Sequence, residues 1–270
     1  MHKSLLTKTL IDLRTQILGW GIGVGMLLIL TVSVYPSIAN VYSTMLEQLP
    51  EEMIAFIGYD LSTNTLEGYL KVEFFTYAPI ALSVFAILAG TACIVGEETQ
   101  GTLDMLLAQP ISRLKLVTTK LTGLTIASGI LITIIFAMFW IPIPFMDIAV
   151  KPAQILSAFV LLWPFLVTTS FLSVLLSLIV SNRLFAGTAM AVWLIASFIL
   201  ESLSNLVSWL ELFQPIYLTS YQQGTNALTS EISWTYTVAM IGIISMSASI
   251  SVWIFIRRDI AVQNPIRIPI

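Results

Sequence analysis

Long apolar runs alternate along this chain with short polar stretches. Crossing the hydrocarbon core of a bilayer takes a helix of about 20 mostly apolar residues. Runs of that kind lie at about 17–36, 74–95, 116–140, 153–180, 185–209 and 234–256. They are too long and alternate too little to be barrel strands. The pattern predicts an all-α membrane protein with six transmembrane helices. Residues 1–16 read differently. Leu5, Leu6, Leu10 and Leu13 are interleaved with Lys3, Lys8, Asp12 and Arg14, which predicts an interfacial connecting helix ahead of the first span. Residues 257–270 form a tail.

Features within the runs refine the picture. Gly19/Gly23 and Gly21/Gly25 are small-xxx-small pairs that let another helix approach closely. Ser37-Ile38-Ala39 resembles a signal cleavage site, but a leader of that length exceeds the usual range, so the first run is read as a span. The stretch 37–73 carries helix signals of its own. Pro50 with Glu51 and Glu52 suits a first turn, Gly58 a stop, and Asn64 with Glu67 a capping box leading into the second span. Pro164, after Trp163, predicts a kink in the fourth span. Glu201 is the one clear ionisable residue deep in a run. It reads either as lining a translocation path, with Trp163, or as a sign that the fifth span ends early.

The polar link between the second and third spans has a pattern of its own. Thr102 follows the flexible Gly101 as an N-cap, and Asp104 sits in the first turn, where the helix dipole favours negative charge. Leu103, Leu106 and Leu107 share one face, Pro110 stops the helix, and Ser112 caps the next. A short amphipathic helix results, suited to lipid or to the groove of a partner protein.

Composition narrows the class. The chain is 57% hydrophobic and 10% charged, too apolar for one water-soluble core. A net charge of −3 gives no footprint for nucleic acid. Lys3, Lys8, Arg14, Arg113, Lys115, Lys120, Arg183, Arg257, Arg258 and Arg267 fall on one side of the six spans, and only Lys71 and Lys151 on the other. That bias makes the first side cytoplasmic, with both termini inside. The lone Cys93 and lone His2 leave no disulfide and no metal site. They also argue against an intramembrane hydrolase, which would need a histidine or paired acids at membrane depth. None of the six lysines follows a glycine, so the chain has no phosphate-binding loop for ATP.

The run Glu97-Glu98-Thr99-Gln100-Gly101-Thr102-Leu103-Asp104-Met105-Leu106-Leu107-Ala108-Gln109-Pro110-Ile111-Ser112-Arg113 resembles the cytoplasmic segment of ABC exporter permeases of the type 2 class. The match is an acidic pair, Gly-Thr-Leu, an acidic residue, a Leu-Leu step, a Pro and a Ser-Arg. Trp20 with its glycines, Tyr35-Pro36-Ser37-Ile38 and Glu67-Gly68-Tyr69-Leu70 are similar to the same class.

The resemblance implies a transmembrane permease subunit of the plasma (cell inner) membrane, without a catalytic residue. Such a subunit pairs with a second permease copy, as a homodimer or with a related chain, and the pair sits on two copies of a cytosolic ABC ATPase subunit. ATP and Mg would be held on that partner, with no cofactor on this chain. The helix 102–109 would be the coupling helix, and Glu97, Glu98, Gly101, Thr102, Leu103, Asp104, Leu106, Leu107, Pro110 and Arg113 would make the ATPase-partner contact. Its cargo would be exported, and the aromatic spans favour a hydrophobic or amphipathic one. A secondary transporter or a channel without an ATPase is the alternative.

Overall fold

A computed structural model describes residues 2–47, 50, 65–102, 111–146, 148–229 and 232–258. The described residues form helices and turns without a strand. The long helices are α1 (His2–Glu47), α2 (Ala78–Thr91), α3 (Arg113–Phe139), α4 (Pro152–Val180), α5 (Arg183–Ser204) and α6 (Trp234–Arg257). They supply six segments long and apolar enough to cross a membrane, in the order the runs predict. An even number of crossings puts the start of α1 and the finish of α6 at one end of the bundle, here the terminal end; the other is the distal end.

Local chemistry sets the helix ends. The Ser112 hydroxyl accepts from the Lys115 N–H at 3.4 Å and starts α3, as the sequence predicts. Asn182 does the same for α5, accepting from the Phe185 N–H at 3.1 Å. Between α4 and α5 the chain turns through Ser181, which takes a left-handed φ of 57°.

The structure differs from the expected boundaries in three places. First, α1 runs unbroken past residue 16 and through Pro36, so the connecting helix and the first span are one element. A proline removes one backbone hydrogen bond, but an apolar segment in lipid has no better partner for the others than its own helix. Second, α5 stops at Ser204, short of residue 209. The Ser204 hydroxyl donates to the Glu201 carbonyl at 2.6 Å, and short polar side chains of this kind compete with helix continuation. The chain then goes on in 3-10 turns over Ser208–Ile216 and Leu218–Tyr221. Third, the entry to the second span is a turn at Leu66–Leu70 capped by Thr65, whose hydroxyl accepts from the Gly68 N–H at 3.3 Å. The carboxylate of Glu67 serves elsewhere, accepting from the Lys151 N–H at 2.7 Å where α4 begins. Pro164 lies inside α4, which continues on both sides of it. Asn64, Glu51, Glu52 and Gly58 lie outside the described residues.

Two π-helical turns, Lys71–Phe75 and Ala92–Gly96, bracket α2. Sequence patterning gives no sign of either. Each widens the helix and rotates the residues beyond it by about 100° relative to a plain α-helix.

The bundle is organised around α4, which packs on α2, α3, α5 and α6, while α1 lies along α3. Close approach of α2 to α4 depends on Gly90, since a Cβ there would come within 2.5 Å of the Ser170 carbonyl oxygen. Thr168, Thr169, Ser170, Ser173 and Ser177 form a fully buried small-residue stripe on α4. Of the two glycine pairs in α1, Gly21 and Gly25 face Ile134 and Met138 of α3, whereas Gly19 and Gly23 face open space. Leu18, Met26, Leu27 and Leu30 of α1 are exposed, as are Val192 and Ile195 of α5 and Val238 and Ile241 of α6. That outward apolar surface is expected of helices solvated by lipid.

Candidate functional site

The second π turn delivers Glu97 and Glu98 to the terminal end of the bundle, where they go separate ways. Glu97 is buried. Its Oε1 lies 2.6 Å from Lys120 Nζ on α3 and 3.5 Å from Lys8 Nζ on α1. The Lys120 ammonium is itself buried, so the two charges compensate each other out of water. Glu97 Oε2 is buried with no hydrogen-bond partner among the described residues. Glu98 Oε1 instead accepts from Arg258 Nη2 at 3.1 Å, just beyond α6. Arg113, at the start of α3, closes the ring by donating from Nη1 to the carbonyls of Arg258 at 2.8 Å and Ile256 at 3.3 Å.

After the acidic pair the chain turns sharply. Gly101 adopts φ 70°, a left-handed conformation that glycine takes without a Cβ penalty. Its N–H donates to the Glu98 carbonyl at 3.1 Å. Thr102 donates through its hydroxyl to the Glu97 carbonyl at 3.2 Å, which ties it back to the acidic pair. Leu103, Asp104, Leu106, Leu107 and Pro110 lie outside the described residues. Of the predicted contact residues, then, Glu97, Glu98, Gly101, Thr102 and Arg113 are gathered at one end of the bundle.

Lys8, Lys120 and Arg258 belong to this cluster, although the sequence singles them out only as markers of topology and, for Lys8, as part of the interfacial helix. Lys120 carried a readable signal. A cation within an apolar run needs a counter-ion, and the acidic residues of the preceding polar link are candidates. The pairing of Arg258 with Glu98 spans 160 positions and left no local trace. A polar cavity of about 440 Å³ opens beside the cluster, lined by Asp12, Gln16, Cys93, Glu97, Lys120 and Arg183 among others.

Glu201 and Trp163 are not brought together. Trp163 lies on an apolar groove between α3 and α4, where its indole Nε1 donates to the Thr125 carbonyl at 3.0 Å and ties the two helices. Glu201 is on the last turn of α5 at the distal end, beside a second cavity that Lys71, Thr219, Ser220 and Gln222 also line.

Two comparisons bear on these features. A family model described as ABC-2 family transporter protein matches residues 4–260, nearly the whole chain. No curated protein matches the sequence.

Proposed function

Because the chain belongs to the ABC-2 family of transporter proteins, a family of multi-pass ABC permease subunits, we propose that it is the transmembrane half of an ATP-driven exporter of the plasma membrane. In this reading two permease copies, a homodimer, sit on two cytosolic ATPase subunits. ATP and Mg are bound and consumed on those partners, and this chain is not itself an enzyme. The residues 102–109 form the coupling helix, with Leu103, Leu106 and Leu107 as the face that enters the ATPase groove. Asp104 in its first turn and Pro110 at its stop set its length. The cargo is hydrophobic or amphipathic.

The observation that carries the reading is the ion-pair cluster. A segment meant to pass on a partner's movement must be anchored to the elements that are to move. Glu97 ties it to α1 through Lys8 and to α3 through Lys120. Glu98 ties it to the end of α6 through Arg258. Displacement of 102–109 therefore acts on three spans at once. Nucleotide-driven closure of the ATPases would favour one packing of those spans and nucleotide release another, because each state makes different contacts with the coupling helix.

The test is co-purification in mild detergent from the native host. The tagged chain is expected to bring down a nucleotide-binding subunit in about equal amount, with vanadate-sensitive hydrolysis. Leu106→Glu with Leu107→Glu should abolish that association while the protein still inserts, because two carboxylates cannot enter an apolar groove unpaired. A chain that comes out alone and folded, without hydrolysis, would return the reading to a secondary transporter or channel.

A further inference from the structure

The distal cavity holds two opposite charges that do not meet. Lys71, in the first π turn, and Glu201, on α5, both line a space of about 240 Å³. They form no ion pair with each other, and the Lys71 ammonium makes no ion pair or hydrogen bond with any other described residue. Lys71 is only 8% exposed. An ammonium this deep is costly unless it is compensated, and the space it shares with Glu201 has room for a compensating group.

Gln222 stands in the wall, its amide nitrogen packed against Gly224. Gln222 is 9% exposed, and its Oε1 is taken by the Thr225 hydroxyl at 2.9 Å. Its Nε2 is buried without a partner among the described residues. The Thr225 hydroxyl also reaches the Phe75 carbonyl, at 3.3 Å, which ties this wall to the π turn that carries Lys71. Glu201 already has the Thr219 and Ser220 hydroxyls beside its carboxylate, so a lone cation would leave Lys71 bare and a lone anion would leave the carboxylate to those two hydroxyls. A group bearing both charges satisfies both. The space would hold about eight waters, which suits a small polar group and not a whole lipid.

We propose that this cavity binds an ammonium–phosphate zwitterion, with the ammonium at Glu201 and the phosphate at Lys71. The group is phosphoethanolamine, presented either as the headgroup of a phospholipid or as the free molecule. The position suits a headgroup. The 3-10 turns beyond α5 expose Trp209, Leu212, Phe213 and Ile216, a set that belongs at the interface between lipid tails and headgroups. The inference goes beyond the coupling reading and needs no ATPase.

The full-length chain in nanodiscs with equal phosphatidylethanolamine and phosphatidylglycerol tests it. After detergent delipidation, native mass spectrometry reads the retained lipid, and titration with soluble phosphoethanolamine reads competition. Wild-type protein is expected to retain phosphatidylethanolamine over phosphatidylglycerol about tenfold, the size of one lost charge-assisted contact. Glu201→Gln and Lys71→Met should each remove that preference while gel filtration and melting stay normal. Retention of the lipid without competition by the soluble compound assigns the headgroup of a lipid; binding of the soluble compound in a manner that needs both residues assigns the free molecule. No lipid preference in the wild type together with no binding of phosphoethanolamine, or a preference that both variants keep, would overturn the proposal and leave a cavity holding water only. The lipid comparison on wild-type protein needs no variant to fold.

Discussion

At the scale of single residues, Glu97 carries the most consequence. Its carboxylate neutralises a buried lysine on α3 and receives a second, half-exposed one from α1. Breaking such a pair strands a charge in a dry place, so Glu97→Gln is expected to destabilise the protein by about 3–5 kcal/mol in a denaturation midpoint. The double change Glu97→Gln with Lys120→Met should recover part of that loss, because no ion is then left uncompensated. Glycine makes a second contrast. Gly25 faces Met138 of α3 and Gly23 faces open space, so Gly25→Leu should cost about 1–3 kcal/mol of stability and Gly23→Leu almost none. Sequence alone supplies both glycine pairs but not the choice between them, since spacing fixes which residues share a face and not which face meets a neighbour. The same limit applies to Glu67. Its position suggests a local cap, yet it serves a helix start 84 positions away.

At the scale of elements, the six spans were legible because lipid demands long, uniformly apolar helices and few other patterns satisfy that demand. Their ends were less so. α5 finishes at Ser204, although Leu206, Val207 and Trp209 keep the sequence apolar beyond it. Hydropathy cannot distinguish a helix in lipid from turns at its surface. The π turns around α2 were illegible for another reason: they arise from packing between helices and leave no signature in periodicity. Yet the second of them sets where Glu97 and Glu98 point, and so decides much of the terminal cluster. The link from Glu98 to Arg258 is an element-scale contact with a direct test. Arg258→Ala should speed amide hydrogen exchange over residues 97–102, where the anchor is lost, and leave the buried centre of α4 unchanged.

For the whole molecule, the division of charge is the controlling fact. By their order along the chain, ten of twelve basic residues are assigned to the side of the spans that carries the start of α1 and the finish of α6, and that side is expected to face the cytoplasm. Tags on the N- and C-termini should both resist protease in intact right-side-out vesicles and become cleavable once the membrane is opened; cleavage of either tag beforehand would reverse the topology. The continuity of α1 has a mechanical consequence. From Lys8, where it meets Glu97, to its finish at Glu47, the helix reaches roughly 60 Å at 1.5 Å per residue, twice the thickness of the hydrocarbon core. An ion pair holds it near one tip, which would serve as its pivot. A tilt of about 5° at the pivot sweeps the far tip through about 5 Å. Spin labels placed along this arm should therefore report excursions that grow with distance from Lys8, so that a displacement too slight to resolve at the fulcrum is plain at its outer reach.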